Sequence, residues 1–173
     1  MLSLPALSVA KSSIAPSKTD LTFGWEPLAK LLSEGNQHWT EKHWREIALD
    51  HDDVPLDVDW KELIEQERRG QYKVFVARRD GKMVGYLPFM FWYPARYRGT
   101  LFIQDDTVYV LPTENNRARV WFEMLDRAIE LLPKPAKLQM RVRPQHGGER
   151  IGKILEKRYG MRLSELTYTK VIS

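Results

Sequence analysis

The spacing of apolar residues changes part-way along this chain, from a helical period in the first half to a period of two after residue 71. Pro27 suits the first turn of a helix running to about Glu34, where Gly35-Asn36 ends it. Thr40 is placed to cap a second helix, with Trp44, Ile47 and Ala48 on one face. The run His51-Asp52-Asp53-Val54-Pro55 breaks that helix. Asp57 or Asp59 then caps a third, which extends through Arg69 and closes at Gly70.

Alternation about Lys73-Val74-Phe75-Val76-Ala77 predicts a strand from Tyr72 to Arg79. Asp80-Gly81 supplies the positive φ of a hairpin turn, and Met83 to Trp92 is the return strand. Its near-continuous apolar run, Tyr86 to Tyr93, predicts a central strand buried on both faces. Pro88 has no N–H to give a ladder, so a bulge or bend is expected there. Thr100 to Leu111 reads as one further strand, ended by Pro112. An amphipathic helix follows from Arg117 to Leu132, with Val120, Met124, Leu125, Ala128, Leu131 and Leu132 facing inward. Pro133 and Pro135 stop it. A strand over Lys137–Arg143, a loop over 144–148, a helix over Glu149–Tyr159 capped by Gly160, and a last strand over Met161–Ile172 complete the chain. A hairpin followed by strand–helix–strand means a mixed sheet with helices on both faces.

At 173 residues the chain is one domain's worth. Residues 1–20 are mildly apolar, but Pro5 interrupts them and Lys11 follows the apolar stretch instead of preceding it. That order does not suit a secretory signal, so they read as a loose arm, or as an extra edge strand, ahead of a domain over 21–173. No apolar run approaches the ~20 residues of a membrane helix. The absence of cysteine removes disulfides, thiolate nucleophiles and any acyl-cysteine intermediate. A reducing cytoplasm is compatible with it.

Acidic residues crowd positions 41–67, whereas the last third is rich in Arg and Lys. A basic half attracts anions: a phosphorylated cofactor, an acidic partner or nucleic acid. Nucleic acid has no groove-reading motif to support it. His43 and Glu46 share a helical face, with His38 and His51 near, but no pair has a metal-ligand spacing, so no metal site is expected. Trp25, Trp39, Trp44 and Trp60 suit core packing, or the wall of an acceptor pocket. No phosphate-binding loop of the nucleotide-hydrolase type, no Ser/His/Asp order and no dinucleotide fingerprint occurs.

Several short runs, in order, carry a resemblance. They are His43-Trp44-Arg45-Glu46-Ile47-Ala48, Val54-Pro55-Leu56-Asp57, Val74-Phe75-Val76-Ala77-Arg78 and Val84-Gly85-Tyr86. They continue with Tyr97-Arg98-Gly99-Thr100-Leu101, Asp106 to Pro112, Tyr159-Gly160-Met161 and Tyr168-Thr169-Lys170. Over about residues 25–172 the chain resembles the GCN5-related N-acetyltransferases (GNAT), and among them the GNAT-like proteins of tailed bacteriophages.

The resemblance implies a mixed α+β fold, mostly antiparallel, in which two strands splay apart to admit acetyl-CoA. Val108, Tyr109, Val110 and Leu111 would bond the pantetheine arm. The pyrophosphate would rest on the following helix start, where free amides and the helix dipole favour anions. The loop residues that align are Asn115, Asn116, Arg117, Ala118, Arg119 and Val120. Ala118 and Val120 replace the family's small or glycine positions, and Arg117 and Arg119 can compensate with charge-assisted bonds.

Asp106 aligns with the family's carboxylate base, and burial beside Asp105 would raise its pKa. The family's acid tyrosine is replaced by Glu156; Tyr159 and Tyr168 are near in sequence but neither stands at the family position, and Tyr168, expected to be half-buried with its hydroxyl bonded, is the hydroxyl to consider. His43, Glu46, Tyr97 and Arg98 are expected to contact the acceptor, a small-molecule or protein amine. The alternative is a GNAT-fold protein without catalysis, binding a phage partner or associated with a virion. A homodimer is common in that family.

Overall fold

The computed structural model describes residues 21–47, 54–143, 147–168, 170 and 171. The arm over 1–20, Ala48, the break at His51-Asp52-Asp53 and most of the loop after Pro144 lie outside them.

The first element is one that the sequence pattern does not announce. Strand β1 (Leu21–Glu26) pairs antiparallel with β2 (Tyr72–Arg79) along its full length. Three helices follow β1: α1 (Leu28–Ser33), α2 (Gln37–Ile47) and α3 (Trp60–Arg68). Thr40 lies inside α2 and does not cap it. Among the described side chains of α2, Trp39 and His43, one turn apart, are buried and Trp44 is partly buried, while the side chain of Ile47 and Ala48 lie outside the described residues. Asp59 caps α3 as expected, accepting the Glu62 N–H at 3.0 Å.

Strand β3 (Lys82–Trp92) returns from β2 through Asp80-Gly81, both at positive φ. The bulge in this hairpin falls between Ala77 and Arg78, opposite Val84, and not at Pro88. Pro88 faces the place where the neighbour of β3 changes. Strand β4 (Leu101–Asp105) pairs with Phe89–Trp92, and β5 (Tyr109–Val110) pairs with Gly85–Tyr86. The Pro88 carbonyl accepts the Asp106 N–H at 2.9 Å, and on that side the ring offers no donor. The single expected strand over Thr100–Leu111 is therefore broken at Asp106-Thr107-Val108.

Helix α4 (Arg117–Leu131), strand β6 (Ala136–Gln139) and helix α5 (Gly148–Tyr159) follow. The sheet runs β1-β2-β3-β4-β6, with only the β4–β6 pair parallel. Helices α4 and α5 pack on one face over Phe75, Leu87, Phe89 and Ile103, while α1 to α3 cover Val74, Val76, Met83 and Tyr109 on the other. Alternate residues of β5 thus enter opposite cores, Val110 one and Tyr109 the other. Leu131 of α4 is exposed, and Phe122 is buried in the core beside Val120 and Met124. No strand forms between Met161 and Tyr168, where Leu163, Leu166 and Tyr168 are exposed.

Arg78 ties β1, the hairpin and α1 together. Its guanidinium contacts Glu26 at 2.6 Å, Glu34 at 2.8 Å and the Gly81 carbonyl at 2.7 Å. With both Arg78 and Glu26 largely buried, Arg78→Met is expected to cost about 2 kcal/mol in urea unfolding at pH 7. The Arg78 guanidinium holds Glu26 below its usual 4.5. The contribution is therefore complete above that value and lost as pH falls through the lower folded pKa. The gap between variant and parent should close in strong acid.

Candidate functional site

The break in the sheet gathers the polar groups. β6 pairs with β4 as far as Gln104 opposite Gln139, and after Asp105 the chain passes into β5, which stays with β3. Among the described residues β5 has no strand on its other side, so β5 and β6 diverge. The Leu111 N–H is spent on the Val84 carbonyl at 2.9 Å. Alternation then turns the N–H and C=O of Val110 to the open edge.

Asp105 and Arg141 hold the vertex of this opening. Asp105 is buried, and its Oδ1 accepts the Arg141 backbone N–H at 2.7 Å, continuing side by side what the ladder no longer does. The Arg141 guanidinium donates to the Asp105 carbonyl at 2.9 Å and to the Asp106 carbonyl at 2.6 Å. Burial pushes the Asp105 carboxyl up to about 6 against the opposing pull of Arg141. Asp105 is thus a structural carboxyl at the vertex of the opening. Asp106 is half exposed, with its carboxylate 3.4 Å from both the Tyr72 hydroxyl and Arg141 Nη2.

On the α2 side of the vertex His43 meets Tyr86, Thr107 and the ring of Tyr109. Tyr109 donates to Glu46 at 3.3 Å, and Glu46 pairs with Arg117 at 3.2 Å, so α2 is stitched to the start of α4. Arg117 also lies over the Tyr109 ring at 5.8 Å. His43 and Glu46 are therefore at the opening. Tyr97 and Arg98 are not: they lie beyond Trp92, six residues along β3 from Tyr86, or about 20 Å at the strand rise. Tyr97 packs on Phe102 instead. Tyr168 is 91% exposed and not half-buried, because no strand carries it back to the sheet.

At the start of α4, Asn116 caps the helix by accepting the Arg119 N–H at 3.0 Å, and the Val120 N–H bonds the Asn116 carbonyl. The Val120 side chain is in the core, so it neither crowds nor touches an anion at the helix start. The amides of Arg117 and Ala118 have no partner within the helix. Arg119 is largely exposed beside Glu123, and Asn115 and Ala118 are exposed. An open strand edge leading to two free amides fits an extended, phosphorylated ligand. Tyr72, Tyr86, Thr107 and Arg141 were not singled out from the sequence. The local pattern does not mark them, since Tyr72 is flanked by Gln71 and Lys73 and Thr107 follows two aspartates, and nothing there says what each one meets.

No protein-family model and no curated protein matches the chain. Solved structures do. An aminoglycoside acetyltransferase from an uncultured soil metagenomic sample superposes with a TM-score of 0.62 at 15% identity, covering 89% of this chain and 99% of its own. This is the GNAT fold. A second soil aminoglycoside acetyltransferase, solved with trehalose, gives a TM-score of 0.60 at 9% identity, over 88% of this chain and 97% of that one. The ribosomal-protein-alanine N-acetyltransferase of Brucella melitensis biovar Abortus gives 0.58 at 15% identity, over 89% and 97%. At these identities the likeness is one of fold. In a GNAT fold the divergence of β5 from β6 is the expected splay, and no described helix is long and apolar enough to cross a membrane.

Proposed function

We propose that this chain is an acetyl-CoA-dependent N-acetyltransferase that passes the acetyl group to an amine by direct attack. The observation that carries the reading is the unpartnered edge of β5 leading to the free amides of α4. Bound acetyl-CoA supplies an activated acyl group. Val108, Tyr109, Val110 and Leu111 form the wall along which its arm would lie. Asn115, Asn116, Arg117, Ala118 and Arg119 surround the anion end, and Arg117 and Ala118 contribute N–H groups. The side chain of Val120 only anchors the helix.

The acceptor approaches from the α2 side. Glu46 and Asp106 favour an ammonium there, and His43, Tyr86 and Tyr109 wall it. Asp106 orients the ammonium, with Tyr72 and Arg141 holding its carboxylate. Solved relatives by fold include an aminoglycoside acetyltransferase bound to sisomicin, which supports a small-molecule amine as acceptor. The resemblance to bacteriophage proteins adds a host cytoplasm as the setting, and the GNAT likeness a homodimer as the assembly.

Thermal denaturation with acetyl-CoA, CoA and ATP tests the reading. A ligand at 100 times its Kd stabilises by about 2.7 kcal/mol, a rise of roughly 5 °C at this size. The expected result is a shift with acetyl-CoA and CoA and none with ATP. No shift at millimolar acetyl-CoA would overturn the reading and leave a GNAT-fold binding protein in its place.

A further inference from the structure

One buried histidine stands between two hydroxyl groups at the break in the sheet. His43 is 4% exposed. Its Nδ1 lies 2.9 Å from the Tyr86 hydroxyl, and its Nε2 lies 3.3 Å from Thr107 Oγ1. The ring is stacked on Tyr109 at 4.7 Å and 27°, so its orientation is fixed from α2 to β5. Thr107 sits in the break itself, partly exposed, between Asp106 and the open edge of β5. A neutral imidazole has one N–H and one lone pair. The two ring nitrogens therefore cannot play the same part toward Tyr86 and Thr107.

Charged and titratable groups face this ring from several elements. From its own helix Glu46 reaches Tyr109, which is stacked on it. From the break Asp106 reaches Tyr72 of β2, and Tyr86 of β3 is in direct contact. Among the described residues Arg117 of α4 is a cation on this side, and it is paired with Glu46. Burial pushes the Tyr86 hydroxyl well above its ordinary range, so it keeps its proton, and its oxygen still has a lone pair for Nδ1–H at 2.9 Å. In that tautomer the Nε2 lone pair faces Thr107 Oγ1 at 3.3 Å.

We infer that Thr107 and His43 form the proton-accepting pair of the acceptor site, with Thr107 touching the amine and His43 acting through it. The acceptor's ammonium gives a proton to Thr107 Oγ1 as the Thr107 hydroxyl proton passes to His43 Nε2. The amine is left neutral, Thr107 is regenerated and His43 becomes an imidazolium held by Tyr86. Asp106 orients the amine and takes no proton in this scheme. The inference rests on the acetyl-transfer reading for its substrate, but its geometry can be checked without any ligand.

The first readout is nitrogen-15 NMR of the His43 ring in the free protein at neutral pH. The Nδ1–H tautomer, with bare Nε2, is expected, and the Nε2–H tautomer overturns the pair. The second uses Thr107→Val, Thr107→Ser and His43→Gln with acetyl-CoA and an amine that the parent accepts. Thr107→Val and His43→Gln should lower kcat about 10²–10⁴-fold. Thr107→Ser should restore most of it. The ascending limb of kcat/KM against pH should follow the His43 titration seen by NMR and vanish in His43→Gln. The acetyl-CoA thermal shift should survive Thr107→Val. An unchanged kcat in Thr107→Val, or a limb that persists in His43→Gln, would sink the inference while leaving acetyl transfer standing. If the chain binds no acetyl-CoA, the acetyl-transfer reading fails by itself, and the tautomer still decides the pair.

Discussion

Replacing Phe89 by alanine is expected to destabilise the domain by about 3–5 kcal/mol. Phe89 is fully buried in the middle of β3, among Phe75, Leu87, Ile103 and the α4 residues Met124 and Leu125. Trp25 of β1 meets its ring edge-on at 5.8 Å. Four other elements, β1, β2, β4 and α4, converge there, so the cavity cannot close by moving one of them. At this size the melting temperature should fall by roughly 10 °C or more. Phe89 is also the β3 partner of Asp105, so the vertex of the opening should loosen with it. Differential scanning calorimetry of the variant checks the first effect. A loss below about 1 kcal/mol would show that this core is not packed as described.

The second large effect concerns Asp105. Its carboxyl is pushed up to about 6 by burial, from an ordinary 3.8. Here the native state binds the proton more tightly than the unfolded chain. Stability from this group is therefore greatest in acid and falls as pH rises from about 4 to about 6, after which it is constant. Two pKa units correspond to roughly 3 kcal/mol. Asp105→Asn keeps an oxygen for the Arg141 N–H and removes the charge. The variant should match the parent or fall below it near pH 4, and gain on it between pH 4 and pH 7. Urea unfolding at both pH values measures this. Parallel pH curves for the two proteins would overturn it. A buried charge kept at a cost beside the opening fits a group retained to shape the site, since a neutral residue would serve stability better.

Much of the fold was legible because the relevant forces are local. The Asp80-Gly81 turn, the Asp59 cap and the Gly160 terminus each depend on residues within one turn of chain. The α4 stripe of Val120, Met124, Leu125 and Ala128 follows from helical period alone. Strand β1 was not legible, because Leu21 to Glu26 is short and its burial comes from β2, some fifty residues away. Thr40 was misplaced as a cap because Gly35-Asn36 turns the chain straight into α2. The last strand failed for the converse reason: its β-branched and aromatic residues suit a strand, but no neighbour accepts Met161 to Tyr168.

The site divides the same way. Sequence alone determined that Asp106 to Leu111 precedes a helix whose first turn can hold an anion, because capping and helix dipoles are properties of adjacent residues. It also determined that His43 and Glu46 share one face of a helix. Only the tertiary structure decided that this face lies against Tyr86, Thr107 and Tyr109, contacts that span 43 to 66 residues of chain. It alone decided that Asp105 is buried under Arg141 while Asp106 remains in solvent. Which of two neighbouring carboxylates enters the interior depends on where the sheet breaks. That in turn depends on how β3 shares its one free edge between β4 and β5, a competition no local pattern records.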